Sequence, residues 1–185
     1  FATKVQLKTS GAFRHYIKLW GKDPDTAMRK YGAIEYVDTS FIEDMRSLFR
    51  VTPVTKEMEN FNEDIGLWNV SKVTNMANMF RGCKQFRHEI KKWNVGNVTD
   101  MKNMFRDCHR FNSDISDWDV TNVINFSYMF KNTNEFNSSI GDWVLGENAE
   151  NIIGMFENAI AFNQDINFNI NYTKITSLSK FLKGC

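Results

Sequence analysis

A segment of 25 residues recurs along this chain, and the recurrence limits the fold to a stacked architecture. Residues 101–125 read MKNMFRDCHRFNSDISDWDVTNVIN, and residues 76–100 read MANMFRGCKQFRHEIKKWNVGNVTD. Met, Met-Phe, Cys, Phe, Ile, Trp, Val and Val stand at the same offsets in both. A repeat of this length cannot bury its apolar residues alone and stacks on its neighbours. We therefore expect function on a surface of the stack rather than in a pocket.

The repeat register divides the chain into an N-terminal segment and a repeat array. Residues 1–36 show helical apolar periodicity with the helix signals Asp23, Pro24 and Gly32, which predict a cap of two short helices. Residues 37–185 are predicted to contain a half repeat, five full repeats and a truncated sixth, with boundaries at 45–75, 76–100, 101–125, 126–151, 152–177 and 178–185. Because the sixth repeat stops inside its motif, we expect further residues after Cys185 in the natural protein.

Two patterns within each repeat predict its secondary structure. M-x-x-M-F-x-x-C places apolar residues at i, i+3, i+4 and i+7, which is typical of a short helix. The remainder, F-N-x-D-I-x-x-W-x-V-x-x-V, is rich in β-branched and aromatic residues, which indicates a short strand and turns. The predicted fold is an α/β repeat solenoid of the leucine-rich-repeat type, right-handed, with strands about 4.8 Å apart in a parallel sheet.

The reactive residue types do not indicate a catalytic site. Small residues occupy the same repeat position in successive copies: Cys83, Cys108, Thr133, Ala159 and Cys185. This pattern favours a small buried position over a column of cysteines that binds metal or undergoes redox chemistry. The three histidines occupy unrelated registers, and no Ser-His-Asp arrangement is apparent. An asparagine follows the repeat phenylalanine in four copies: Asn62, Asn112, Asn137 and Asn163. Because asparagine side chains can hydrogen-bond neighbouring backbone groups in turns, we predict a column of structural asparagines at one corner of the stack. We predict that the chain is not an enzyme and has no catalytic residue, cofactor or metal.

Charge is balanced overall but uneven along the chain. The whole sequence has 23 Lys and Arg against 22 Asp and Glu, whereas residues 76–111 carry eight basic and three acidic side chains. The candidate partner-binding residues are Arg81, Lys84, Arg87, His88, Lys91, Lys92, Lys102, Arg106, His109 and Arg110. A basic surface that is merely exposed to solvent would give the same sequence pattern. The functional alternative is a docking patch for an acidic protein surface, a glycan or another polyanion. Nucleic acid is disfavoured because the aromatic residues are needed in the core. No apolar run reaches the roughly 18 residues of a membrane helix.

The motif MFRDCHRFNSDISDWDVTNVINF resembles the repeat of BspA-like leucine-rich-repeat surface proteins, a group that includes many mycoplasma-type lipoproteins. The opening LKTSGAFRHYIKLWGKDPDTAMRKYGAIEYVDTSFIEDM resembles the helical lead-in of members from algae and other microbial eukaryotes. The resemblance implies cell-surface or secreted display and protein-binding or adhesive function without catalysis.

Two functional hypotheses follow. The first is a non-catalytic interaction or adhesion module, displayed at the cell surface or secreted, that binds protein or glycan partners through solenoid faces. The second is an accessory, linker or scaffold subunit that stabilises a large assembly, such as an organellar or photosynthetic complex or a viral particle. This second hypothesis is suggested by a chain that starts without Met and stops inside a repeat motif.

Overall fold

The computed structural model describes residues 7, 9–166, 168 and 174–185 of the chain. Its helical elements are α1 (Ser10–Lys22), α2 (Pro24–Tyr31) and two short 3-10 helices, Ile34–Tyr36 and Lys56–Asn60. The described residues form no β-strand. Parallel pairing is limited to isolated bridges that join Asp44, Asn75, Asp100, Asn125 and Asn151 in succession.

The prediction of an α/β repeat solenoid of the leucine-rich-repeat type is wrong. In the described residues of the repeats, the M-x-x-M-F-x-x-C segment is not an α-helix, and the following segment is not a strand. The repeats are instead irregular coils of turns, joined by one bridge residue per copy. The division of the chain into domains stays a prediction.

The hydrogen bonds of residues 76–83 explain why no helix forms there. Alternate residues direct their N–H groups to the next repeat, with Met76, Asn78 and Phe80 donating to the carbonyls of Asp100, Lys102 and Met104 at 2.9, 2.8 and 3.0 Å. The residues between them donate within the repeat, from Met79, Arg81 and Cys83 to the carbonyls three residues earlier. An α-helix would satisfy these groups inside one segment. Here half of them join adjacent copies.

The backbone angles of the same segment also exclude a helix. The third residue of each copy has φ between 53° and 58°: Ser47, Asn78, Asn103, Tyr128, Gly154 and Lys180. A second left-handed position follows four residues later in five copies, at Gly82, Asp107, Asn132, Asn158 and Gly184. Left-handed residues interrupt an α-helix of L-amino acids. A chain of turns thus buries the same i, i+3, i+4 and i+7 positions that a helix would bury.

Two columns of phenylalanine rings form the centre of the stack. In the first column, ring centroids lie 5.6 Å apart between Phe80 and Phe105 and 5.8 Å between Phe105 and Phe130. The second column runs beside it, with 6.1 Å between Phe86 and Phe111. The expectation that each repeat stacks on its neighbours is confirmed in these columns. Each fully buried ring contributes about 1.5–3 kcal/mol through the hydrophobic effect.

Polar atoms inside the core bond the preceding repeat. The thiols of Cys83 and Cys108 donate to the carbonyls of Phe49 and Phe80 at 3.2 and 2.9 Å. The Thr133 hydroxyl takes the same role toward Phe105 at 2.8 Å. Because the residue in this register is a small hydrogen-bond donor in those copies, Cys and Thr replace each other without disturbing the packing.

Helix α1 covers the first repeat. Phe13 packs edge-on against Trp68, with ring centroids 5.4 Å apart. The Arg14 guanidinium donates to the main-chain oxygens of Arg46 at 2.8 Å and Asp44 at 3.2 Å. In later copies the corresponding oxygens accept N–H groups from a preceding repeat. Arg14 therefore supplies the hydrogen bonds that a preceding repeat would supply.

Candidate partner-binding surface

The candidate basic residues line two separate grooves. The first, which we name the arginine groove, has a volume of about 340 Å³ and is lined by Arg50, Val51, Glu59, Arg81, Gly82, Lys84, Asp107 and His109. The second, named the lysine groove, has a volume of about 460 Å³ and is lined by Asp64, Gly66, Leu67, His88, Glu89, Lys91 and Lys92. The ten predicted residues therefore do not form one continuous patch.

Four of the predicted residues lie outside both linings. The Arg106 Nε is 3.4 Å from a carboxylate oxygen of Asp107, and its guanidinium lies 6.0 Å from the centre of the Tyr128 ring. Arg110 donates to the Gln85 side chain at 3.2 Å and lies 3.8 Å from the Glu135 carboxylate. The other two, Arg87 and Lys102, are exposed.

The charge of the lysine groove is partly neutralised within the chain. The Lys91 ammonium lies 2.6 Å from the Asp114 carboxylate and 3.2 Å from that of Asp117. The hydrogen bond from Lys91, reinforced by Ser116, lowers the pKa of Asp114 to about 2. Lys92 is exposed and forms no ion pair with any described residue. The apolar part of this groove is Leu67, which is 68% exposed.

The arginine groove keeps positive charge that its own acidic residues do not neutralise. Lys84 pairs with Glu59, and the hydrogen bond from Lys84 lowers the pKa of the Glu59 carboxyl. Arg50 and Arg81 form no side-chain hydrogen bond or ion pair within the described part of the chain, and the Arg50 Nε is buried without a partner. Burial, followed by the neighbouring charges of Arg106 and Arg50, lowers the pKa of Arg81. The groove therefore holds two guanidinium groups without a direct ion pair among the described residues, although the nearby Asp107 carboxylate partly offsets the effect of burial on the pKa of Arg81.

Arg50 was not among the residues predicted from the sequence, although its position within the repeat identifies it as an equivalent of predicted residues. Arg50, Arg81 and Arg106 each stand five residues after the first Met of their repeats, and Lys131 takes the corresponding position in the fourth copy. The stack brings these positions into a column. The interruption of the first copy by residues 50–60 hid the correspondence, because the regular copies alone defined the predicted patch.

Two other kinds of site are absent from the described residues. Among the described residues, no group of three or more His, Cys, Asp or Glu side chains is placed to hold a metal ion. Within that same part of the chain, no helix has the length and apolar character needed to cross a membrane.

The stacked coils with their uneven charge define a repeat protein, and the family comparison agrees with this class. The model of the family described as "Mycoplasma protein of unknown function, DUF285" matches residues 51–170, more than half of the chain. The chain belongs to this family. No curated protein and no solved structure matches it. The predicted resemblance to mycoplasma-type repeats is thus confirmed at the level of a family whose description gives no function.

Proposed function

We propose that the chain is a non-catalytic interaction or adhesion module, displayed at the cell surface or secreted, that binds a protein partner through the outer surface of its stacked repeats. The proposal includes kinship with BspA-like surface proteins, without the leucine-rich-repeat fold. Membership in a mycoplasma family is its sequence support.

The division between inner and outer positions supports an interaction role. The inner positions repeat the same aromatic and aliphatic residues, and stacking uses their surface and hydrogen bonds. The two positions after the repeat isoleucine instead differ in charge among copies: Gly66 and Leu67, Lys91 and Lys92, Ser116 and Asp117, Gly141 and Asp142. The second of these positions is exposed in all four copies, so its side chain is free to serve recognition.

The observation that carries the proposal is positive charge without a direct ion pair on repeats one and two. The side chains of Arg50, Arg81 and the exposed Lys92 form no ion pair within the described residues. Charge complementarity of this kind steers encounter with an acidic surface and sets specificity. A solvated basic face remains the competing interpretation, and mutation distinguishes the two.

Antibody labelling of intact cells tests display. A chain-specific antibody should label cells before permeabilisation, or the chain should be recovered from the medium. Labelling only after permeabilisation, with stoichiometric co-purification in one complex, would instead identify the accessory-subunit alternative and contradict display.

Cross-linking on intact cells tests binding through the basic surface. Lys92→Glu should weaken recovery of the cross-linked partner, because it reverses an exposed charge in the lysine groove. Lys72→Glu is the matched control, since Lys72 is exposed and lines neither groove. Equal recovery with both variants would remove the lysine groove from the proposal.

A further inference from the structure

We propose that Arg50 and Arg81 anchor an acidic peptide segment of a protein partner, each guanidinium binding one of two carboxylates at alternate positions of an extended chain. The recognised pattern would be Asp/Glu-x-Asp/Glu. The inference rests on the proposed function, because it specifies the chemistry that the interaction module recognises.

The spacing of the two arginines fits an extended peptide. They occupy the same register in successive copies, and the rings of the preceding residues, Phe49 and Phe80, stack with centroids 5.3 Å apart. In an extended chain, side chains on one face recur about every 6.6–6.8 Å. The long arginine side chains can spread over the difference of about 1–2 Å, and the planar guanidinium matches a carboxylate in bidentate geometry.

The electrostatic state of the groove favours an anion. The Arg50 Nε is buried without an acceptor, which is a costly arrangement for a charged donor. Arg81 lies between the charges of Arg50 and Arg106, so the column repels itself. A carboxylate bound in the groove would reduce this repulsion.

The acidic residues of the groove favour a peptide over a dense polyanion. Glu59 and Asp107 line the same groove as the two arginines. A ligand with a negative charge at every unit would meet these carboxylates as well as the guanidinium groups. A peptide with only alternate acidic residues can place neutral residues there. Gly82 contributes no side chain to the lining, and Val51 fills the space that a Cβ there would occupy.

Fluorescence anisotropy with synthetic peptides tests the inference. The probe is a labelled peptide that alternates Glu and Thr, compared with a peptide of equal composition in which the glutamates are contiguous. Arg50→Gln and Arg81→Gln remove one guanidinium each. Arg81→Lys keeps the positive charge but removes the planar group that can bind a carboxylate in bidentate geometry. Lys72→Gln is the control, because Lys72 is exposed, lines neither groove and is not among the candidate partner-binding residues. The unfolding midpoint of every variant verifies its fold.

The expected result is that the alternating peptide binds more tightly than the block peptide. Each Arg→Gln variant should weaken its binding about tenfold or more, as expected for hydrogen bonds to charged groups, while the Lys72→Gln variant should change it less than about twofold. Arg81→Lys should fall between the wild type and Arg81→Gln. Because the side chains of Arg50 and Arg81 form no hydrogen bond among the described residues, both variants should fold.

Three results would overturn the inference: no binding of the alternating peptide, equal binding by the arginine variants, or tighter binding of a sulfated oligosaccharide than of either peptide. The cross-linking experiment on intact cells separates this failure from failure of the proposed function. A partner that remains bound to the Arg50→Gln and Arg81→Gln variants would contradict the peptide site and leave the interaction role standing.

Discussion

The indole Nε1 of Trp118 donates a hydrogen bond to the main-chain oxygen of Ile90, 3.3 Å away in the preceding repeat. The same bond recurs at Trp68, Trp93 and Trp143, with lengths of 2.8, 3.1 and 3.1 Å to the preceding isoleucine or its equivalent. The tryptophan therefore contributes both apolar area and a hydrogen bond between copies. Its place in the repeat reflects both properties.

Replacement of Trp118 should separate these two contributions. Trp118 is 4% exposed, so Trp118→Ala is expected to lower the free energy of unfolding by roughly 3–5 kcal/mol. Trp118→Phe keeps an aromatic ring and should cost less, although it leaves the Ile90 oxygen without the indole donor. Urea denaturation measures both. A loss below about 1 kcal/mol for the alanine variant would mean that Trp118 is not stacked inside.

The cysteine register should tolerate Cys and Thr but not an apolar residue of the same shape. The Thr133 hydroxyl donates to the buried Phe105 oxygen, and Thr133 is fully buried. Thr133→Val should lower the free energy of unfolding by about 1–2 kcal/mol, because it removes one donor at nearly constant volume. Thr133→Cys is the matched control, since Cys83 and Cys108 form the same bond. Equal stability of the valine and cysteine variants in thermal unfolding would show that the bond contributes nothing.

The copy-to-copy pattern was sufficient to predict the core but not the secondary structure. Stacking of Phe80 on Phe105 follows from the shared offset of the two residues. The helix prediction failed because i, i+3, i+4 and i+7 spacing describes which residues face inward, and turns with left-handed residues four positions apart satisfy it too. The strand prediction failed because only one residue per copy, such as Asp100, forms a bridge.

Part of the candidate site was also readable from the sequence, and part was not. The regular copies identified Arg81 and Lys84, which line the arginine groove. Charge counts could not show that Lys91 pairs with Asp114, because the ion pair joins residues 23 positions apart across the stack. They could not separate one basic patch into two grooves either, since the separation depends on the three-dimensional path of each turn. Whether the ten residues bind a partner stays a prediction.

The ion pair between Lys131 and Glu157 predicts a pH dependence of stability. Lys131 lies 2.8 Å from the carboxylate of Glu157, which is 5% exposed, and their hydrogen bond lowers the pKa of Glu157. Because the folded-state pKa is lower than the unfolded one, the pair stabilises the fold above the unfolded pKa of about 4.3. That contribution disappears as the pH falls through the folded-state pKa.

Glu157→Gln tests this pair with little change in shape. At pH 7 the variant should be less stable than the wild type by about 1–2 kcal/mol, as expected for a charged hydrogen bond. The difference should shrink as the pH falls below about 4, where the wild-type carboxylate begins to protonate. Urea denaturation between these pH values measures it. A difference that does not change with pH would contradict the assigned charge state.

The most distinctive feature of the structure is that its repeats consist of turns with left-handed residues rather than of helices and strands. Ser47 offers a clean test, because its φ is 55° and its side chain forms no hydrogen bond within the described part of the chain. Lys18 provides the control, since it is an exposed residue inside helix α1. There Ala should be more stable than Gly by roughly 0.8–1 kcal/mol.

The decisive measurement is the difference in free energy of unfolding between Ser47→Gly and Ser47→Ala. A left-handed backbone disfavours any residue with a Cβ, so glycine should be the more stable of the two by about 1 kcal/mol. The sign at position 47 should therefore be opposite to the sign at position 18. If alanine is more stable than glycine at both positions, residue 47 does not have a left-handed backbone, and the turn-based structure of the repeats is wrong.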